Sequence, residues 1–169
     1  MIVKVDEARS DNEAARIQRA LVPIVKAVTG KLAVPCVSEA MELIGGNGYI
    51  EESPLPRMLR DAQVLPIWEG TTNIMVLDAL RVARKEGGHE ILLARIRRHL
   101  PREAEEIGAA FDALDQRGAR GWVDRLARAF ELTLLAEAGK AGAMERLRER
   151  PLGLLPGAAP IRAAVPQTG

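Results

Sequence analysis

The sequence predicts an all-α protein that folds as a helical bundle. Hydrophobic residues make up 47% of the 169 positions but aromatic residues only 3%, so the core must consist mainly of aliphatic side chains. The chain is rich in Ala, Leu, Glu and Arg, which are strong helix formers. Apolar residues recur at spacings of three and four in successive segments, as one face of an α-helix requires.

The first predicted helix starts at a capping-box pattern, Ser10-Asp11-Asn12-Glu13. Pro23 lies inside this helix and should kink it, because proline has no N–H for the Arg19 carbonyl to accept. Gly30-Lys31 marks the predicted end, and Pro35 falls in the first turn of the next helix, where proline is tolerated. The predicted apolar face of the first helix contains Ala14, Ile17, Leu21, Ile24 and Val28.

The stretch from Glu39 to Arg81 contains most of the turn residues and a helix start. Its first helix should end at Gly45-Gly46, since glycine adopts the left-handed conformation that a helix end often needs. Asn47-Gly48 then predicts a turn with positive φ, and a short basic helix follows. Thr71 is a candidate N-cap for the next helix. The free amides of the glycine loop and of this first turn suit a phosphate or another anion.

Glu69 lies just before this helix start and follows an apolar run, Leu65 to Trp68. A carboxylate among apolar neighbours is costly to ionise, so it becomes a better proton acceptor near neutral pH. An acid at this position also has a simpler explanation, because it complements the dipole of the helix that follows. The tripeptide Glu69-Gly70-Thr71 alone does not decide between a catalytic base and a helix-start acid.

Gly87-Gly88 predicts a boundary, and three or four further amphipathic helices follow it. Their apolar faces have helical spacing, and a last helix is predicted from Lys140 to Arg150. From Pro151 onward the sequence has no period and many helix breakers, which indicates a flexible tail. The predicted faces are Ile91, Leu92, Ile96 and Leu100; Ala104, Ile107, Phe111 and Leu114; and Trp122, Leu126, Phe130, Thr133 and Leu134.

Composition also limits the classes of function. The net charge of +1 gives no overall attraction to nucleic acid or to acidic membranes. Cys36 is the only cysteine, which excludes an intrachain disulfide, and its helical position favours a small buried side chain. His89 and His99 have no ligand cluster around them, so we predict no metal site. We see no signal peptide and no apolar run of membrane-spanning length, which predicts a cytoplasmic protein without a membrane contact.

Three motifs together resemble the acyl-CoA dehydrogenase family. Gly-Gly-Asn-Gly-Tyr at 45–49, Arg60-Asp61-Ala62 and Trp68-Glu69-Gly70-Thr71 occur in the order and at the spacing of that family. The surrounding sequence looks most like the AidB-like branch, which is associated with the adaptive response to DNA alkylation. The resemblance covers residues 1–86 and implies the C-terminal helical bundle of the family. We expect residues 87–150 to form an additional helical segment packed on it, and 151–169 a flexible tail.

The resemblance implies a role for each matching residue. Glu69 matches the catalytic base, which removes the α-proton of an acyl-CoA thioester while a hydride passes to FAD. Gly70 matches a position that lines the substrate, and Arg81 one near its CoA end. An acid at Glu42, where many relatives carry an amide, would repel a pyrophosphate. The positions that match FAD contacts are Thr71, Thr72 and Asn73, together with Glu42, Leu43, Ile44, Gly45 and Gly46, which reach the FAD of a neighbouring subunit.

In that family an N-terminal helical domain and a middle β domain supply most of the flavin pocket, and nothing in this sequence resembles those strands. We therefore expect this chain alone to bind FAD weakly or not at all and to be inactive. We also expect self-association, or pairing with a missing N-terminal dehydrogenase half. The alternative is a non-catalytic helical module for interaction or oligomerisation, with a link to the DNA-alkylation response.

The branch also raises the question of DNA binding by the segment after Gly88. Arg95, Arg98 and Arg102 are spaced to lie along one helical face, which would suit phosphates. Positions 87 to 150, however, contain twelve Lys or Arg residues and eleven Asp or Glu residues, so the segment has almost no excess of positive charge. Acids at Glu103, Glu105 and Glu106 are placed to pair with the arginines. The pattern therefore favours a salt-bridged surface, with at most weak, salt-sensitive DNA binding.

Overall fold

The computed structural model describes residues 12–149, and all regular secondary structure in that range is helical. This confirms the predicted all-α class. The predicted cap at Ser10-Asp11 and the predicted tail at 151–169 lie outside the described residues. The helices are α1 (Asn12–Ile44), α2 (Gly46–Tyr49), α3 (Leu55–Val64), α4 (Thr72–Glu86), α5 (Gly88–Arg97), α6 (Pro101–Asp112), α7 (Ala119–Glu137) and α8 (Ala141–Glu149).

Helix α1 runs without interruption for 33 residues, with Pro23 and Pro35 both inside it. The prediction that one helix ends at Gly30 and another begins near Pro35 is therefore wrong. Gly30 is buried where the α3–α4 loop crosses α1, and a Cβ atom there would lie 3.4 Å from the backbone carbonyl of Leu65. The glycine thus allows close approach of two backbones rather than ending the helix, and tertiary packing outweighs the local breaking signals.

The continuity of α1 changes two further expectations. By length and composition α1 is apolar enough to cross a membrane, with a mean hydropathy of 1.6 over an 18-residue window, contrary to the prediction that no such run exists. Core helices pass the same test, and one face of α1 is buried against α3, α4, α5 and α7. Cys36 is exposed, so its predicted burial is wrong, because no described helix covers that face of α1.

The core is one continuous cluster that joins α1 and α4 to the helices after Gly87. Gly87 has a φ of 62° and ends α4, and α5 begins at the next residue. The indole of Trp122 is fully buried in α7, and its Nε1 donates to the Ile107 carbonyl at 3.1 Å. The segment after Gly87 therefore packs directly on α1 and α4. The division at residue 86 into two units stays a prediction.

The last helices are tied to the bundle by arginines. Arg128 of α7 is buried, and it donates to the carbonyls of Leu147 and Arg148 at the end of α8. A guanidinium at a helix C-terminus satisfies carbonyls that have no partner within the helix. Arg84 of α4 likewise donates to the Leu114 carbonyl, which links α4 to the turn before α7.

Candidate functional site

The end of α1 is closed by Gly45, which has a φ of 73°. Its N–H donates to the carbonyls of Met41 and Glu42, both at 3.0 Å. The predicted positive-φ turn at Asn47-Gly48 is wrong, because both residues lie in the short helix α2. Gly48 is needed there for another reason, since a Cβ atom would lie 2.8 Å from the Met41 carbonyl oxygen.

The residues that the resemblance assigns to a neighbouring subunit's FAD lie at the surface. All five positions from Glu42 to Gly46 are exposed, and the Leu43 side chain reaches 89% exposure. A Cβ atom at Gly46 would meet nothing within 4 Å. This part of the chain is therefore open to another molecule.

Arg60 and Ala62 of the second motif have structural roles in this chain. The Arg60 guanidinium contacts the Glu51 carboxylate with two bonds, at 3.1 and 3.3 Å, and this hydrogen-bonded pair lowers the pKa of Glu51. Ala62 is buried on α3. The motif thus holds α3 against the segment after α2.

Glu69 has an unusual backbone conformation, with a φ of 52°. It is the one non-glycine residue with positive φ among residues 12–149, and Gly70 follows with a φ of 110°. A left-handed conformation costs a non-glycine residue about 1–2 kcal/mol. Such strain concentrates at active sites and ligand-binding loops, so this observation supports a functional role for Glu69.

The apolar surroundings that we expected around Glu69 are not formed by residues 12–149, the part of the chain that the structure describes. Glu69 is exposed, and the side chains of Ile67 and Trp68 are 66% and 60% exposed. The expectation fails because the apolar run before Glu69 stays on the surface instead of closing over the carboxylate. Any apolar cover must come from another segment or another chain.

Helix α4 begins beside Glu69. Thr71 lies at the N-cap with extended backbone, as predicted, although its side chain makes no capping hydrogen bond. Thr72 is buried, and its Oγ1 has no hydrogen-bond partner within the described chain. Asn73 Oδ1 accepts a hydrogen bond from Arg120 Nη2 at 2.9 Å. A buried hydroxyl without a partner and free first-turn amides suit a polar or anionic group.

Arg81 is engaged within its own helix. Its Nη2 and Nε donate to Asp78 Oδ1 at 2.8 and 3.0 Å, and its Nη1 lies 3.5 Å from Glu86 Oε1. Arg19 of α1 also pairs with Asp78, at 3.0 Å, and these arginines, Arg19 first, hold the pKa of Asp78 below its ordinary value. The role of Arg81 near a CoA group stays a prediction.

The assigned residues form two separate patches. Glu69 to Asn73 are contiguous, and Arg81 lies about 15 Å along α4 from Thr71, at 1.5 Å per residue. Ile44 lies about 20 Å along α1 from Gly30, where the loop before Glu69 rests. The structure thus brings the 69–73 group together and leaves the 42–46 group apart, as contacts with a second FAD would require.

The three candidate nucleic-acid arginines do not share one helix, contrary to the prediction. Arg95 lies in α5, Arg98 caps its end, and Arg102 is in the first turn of α6. The turn before Pro101 breaks the helical spacing. Arg95 lies over the Phe130 ring and donates to Glu137 at 2.9 and 2.5 Å, and the pair lowers the pKa of Glu137.

Arg102 Nε donates to Glu106 Oε1 at 3.0 Å, which is one of the predicted pairings. Arg125 of α7 also reaches Glu106, at 3.1 Å. Two of the three candidate arginines, Arg95 and Arg102, thus already form ion pairs with glutamates of this chain. A DNA contact by Arg95, Arg98 and Arg102 stays a prediction.

The sequence reasoning missed Lys26. Its Nζ donates to the Leu65 and Trp68 carbonyls in the loop before Glu69. The available signal was a single lysine inside the most apolar part of α1, from Leu21 to Val28.

Residues 3–84 match the family model described as the acyl-CoA dehydrogenase C-terminal domain. These residues belong to the acyl-CoA dehydrogenase family. Acyl-CoA dehydrogenase family member 11 of Caenorhabditis elegans is 51% identical over 89 residues, which are 53% of this chain and 14% of that protein. AidB of Escherichia coli (strain K12) is 40% identical over 120 residues, covering 60% of this chain and 22% of AidB. The relatives support the predicted AidB-like branch.

Solved structures support the fold over more of the chain. The apo form of Bd2924 superposes with a TM-score of 0.68 at 31% identity, over 76% of this chain and 27% of that one. Caenorhabditis elegans ACDH-11 in complex with C11-CoA gives a TM-score of 0.60 at 32% identity, over 82% of this chain and 28% of that one. This chain thus spans less than a third of the length of each of these relatives.

Proposed function

We propose that this chain is the C-terminal part of an FAD-dependent acyl-CoA dehydrogenase-like oxidoreductase. The reaction is α,β-dehydrogenation of an acyl-CoA thioester. The left-handed Glu69, at the start of α4 and inside the family-matched segment, is the observation that carries the proposal. Strain that is retained at one carboxylate is best explained by a role for that carboxylate.

Glu69 acts as the general base. One carboxylate oxygen accepts the α-proton, and the electron pair of the broken Cα–H bond forms the double bond to the β-carbon. Bound FAD supplies the acceptor for the hydride that leaves the β-carbon. Because Glu69 is exposed in this chain, the rest of the enzyme must exclude water around it to strengthen it as a base.

The residues present fit FAD at the start of α4. The first-turn amides from Thr71 to Asn73 and the unpaired Thr72 hydroxyl provide polar contacts. The exposed group from Glu42 to Gly46 contacts the FAD of a second subunit, although the Gly45 N–H is already engaged by the Met41 and Glu42 carbonyls. The Glu42 carboxylate itself is unsuited to a pyrophosphate, because two anions repel.

The substrate is an acyl-CoA thioester that passes Gly70 and extends toward Arg81. ACDH-11 was solved in complex with C11-CoA, and that structure shares the fold of this chain. A side chain at position 70 would crowd Met75, whose Cε would lie 2.6 Å from a Cβ atom there. Arg81 must share its guanidinium between Asp78 and the CoA group, since its Nε and Nη2 both donate to Asp78 Oδ1.

We further propose that the isolated chain binds FAD weakly or not at all and is inactive. Its described residues present two separate patches and leave Glu69 exposed. Its exposed apolar side chains, among them Leu43, Ile67 and Trp68, favour self-association or pairing with an N-terminal dehydrogenase half. The same exposed surface supports the alternative, a non-catalytic module for interaction or oligomerisation.

The test is Glu69→Gln in the complete, flavin-loaded protein, with Glu52→Gln as control. The amide keeps the shape of Glu69 but cannot accept the α-proton, so flavin reduction by acyl-CoA should slow by about a hundred- to ten-thousand-fold. Acyl-CoA and flavin binding should survive in both variants. Flavin reduction at the parental rate in Glu69→Gln would reject Glu69 as the base, whereas a parent protein whose flavin is not reduced by acyl-CoA would favour the interaction module.

A further inference from the structure

Lys26 lies on α1 and contacts the loop between α3 and α4. Its Nζ donates to the carbonyl oxygen of Leu65 at 2.6 Å and to that of Trp68 at 2.9 Å. A single ammonium group therefore joins both ends of the four-residue segment that leads into Glu69. Hydrogen bonds from a charged donor are shorter and about twice as strong as those between neutral groups.

Gly30 completes this contact one turn further along α1. Because it has no side chain, the backbone of Leu65 and Pro66 rests directly on the helix, 3.4 Å from where a Cβ atom would be. Within the loop, the N–H groups of Ile67 and Trp68 both donate to the Val64 carbonyl at 2.9 Å. Helix α1 thus packs against the loop backbone at Gly30 and donates hydrogen bonds to two carbonyl oxygens of the loop through Lys26.

The Trp68 carbonyl controls the geometry of Glu69. The oxygen of Trp68 and the N–H of Glu69 belong to the same planar peptide unit. Fixing that oxygen at Lys26 Nζ fixes the plane from which the φ angle of Glu69 is measured. A left-handed glutamate, at a φ of 52°, persists only where its surroundings enforce it.

We propose that Lys26 is a positioning residue, which keeps Glu69 in its left-handed conformation by holding the Trp68 carbonyl. The inference rests on the proposed function, because it assigns Lys26 a part in presenting the catalytic base. Lys26 itself does not touch the substrate. Its side chain contacts the loop through the carbonyl oxygens of Leu65 and Trp68.

The first measurement uses this chain and reads the loop directly. In Lys26→Met, which keeps the apolar stem and removes the ammonium, the Ile67 and Trp68 amides should exchange with deuterium about tenfold faster. Lys31→Met is the matched control, since Lys31 is also half-buried on α1 but donates to no loop carbonyl in the described chain. Unchanged exchange in Lys26→Met would overturn the proposal.

Chemical rescue tests the ammonium itself. Cys36 is the only cysteine, so Lys26→Cys in a Cys36→Ser background offers one site for alkylation. Treatment with 2-bromoethylamine restores an ammonium at the length of lysine and should restore slow exchange. Iodoacetamide adds a neutral group and should not. Equal recovery with both reagents would show that the side-chain stem, not the charge, holds the loop.

The second measurement uses the complete, flavin-loaded protein and separates positioning from simple stabilisation. Lys26→Met should lower kcat by about 10- to 100-fold with little change in KM, because a displaced base slows proton abstraction more than binding. A faster-exchanging loop with an unchanged kcat would overturn the positioning role. If Glu69→Gln reduces its flavin at the parental rate, the assignment of Glu69 as the base in the proposed function fails instead, whatever Lys26→Met does.

Discussion

Helices α1 to α4 and their loops leave many large apolar side chains exposed, whereas helices α5 to α8 bury all of theirs at least in part. Between residues 88 and 149 every large hydrophobic side chain is at least partly buried, and the fully buried Trp122, Leu92, Ile96 and Leu126 all lie there. The first four helices and their loops leave many exposed: Val22, Val25, Leu43, Ile44, Tyr49, Ile50, Met58, Val64, Leu65, Ile67, Trp68, Ile74 and Leu77.

This difference separates a packing role from a contact role. A monomeric protein rarely exposes a large continuous apolar surface, and a surface of that kind marks an interaction site. The residues assigned to FAD and acyl-CoA by the family resemblance all lie in the same first four helices. The second set of helices has no such surface, and it buries one face of α1 and α4. The exposed apolar side chains thus lie in the family-matched part, and the later helices pack against its α1 and α4.

The largest effect that would test this comparison comes from the two tryptophans. Trp122→Ala removes a fully buried indole that donates to the Ile107 carbonyl, and it should cost about 3–5 kcal/mol in the free energy of unfolding. Trp68→Ala changes a side chain that is 60% exposed, and should cost within about 0.5 kcal/mol. Urea denaturation of both variants measures the difference. Similar losses would mean that the two regions are packed alike.

A smaller effect compares two glycines. A Cβ atom at Gly88 would lie 2.7 Å from Val82 Cγ1 and 3.3 Å from the Ala20 Cβ, so Gly88→Ala should destabilise the chain by about 1–3 kcal/mol. Gly46→Ala meets open space and restricts the unfolded chain, so it should stabilise by about 0.4–1 kcal/mol. Thermal unfolding of both variants gives the signs. A loss in Gly46→Ala would show that the end of α1 is covered within this chain.

The sequence was sufficient for the helical class and for the order of the motifs, because apolar periodicity and a few glycines report them directly. The sequence-based prediction misplaced the end of the first helix at Gly30. A glycine can either end a helix or let a loop pack closely against one, and the sequence does not distinguish these two roles. It also misjudged the cover over Glu69 and grouped Arg95 with Arg102 across a helix break. Those features depend on which segments meet in space, as does the contact from Lys26 to the Trp68 carbonyl.

The smallest effect expected is in the pH dependence of stability, where the two regions should act in different ranges. His89 of α5 has its ring centre 3.9 Å from that of Phe111 in α6 and 6.0 Å from that of Trp122 in α7. Burial lowers the pKa of His89 from its ordinary value of 6.5, although Glu90, the Ala83 carbonyl and Asp112 oppose the shift. In the first region, hydrogen bonding to Arg19 lowers the pKa of Asp78 from 3.8.

Both shifts favour the deprotonated form in the folded state, so both contributions are lost as the pH falls, but at different pH values. The contribution of His89 to the free energy of unfolding is complete above pH 6.5. It declines below that pH, because the unfolded chain then binds a proton at His89 more readily than the folded protein does. That of Asp78 is complete above pH 3.8 and declines only below it. The free energy of unfolding, measured against pH, should therefore fall in two steps, an upper one below pH 6.5 and a lower one below pH 3.8.

The upper step should disappear in His89→Gln, because glutamine keeps a donor for the Ala83 carbonyl but does not titrate. Asp78→Asn should change only the lower step. An upper step that persists in His89→Gln would mean that a group other than His89 controls the stability near neutral pH.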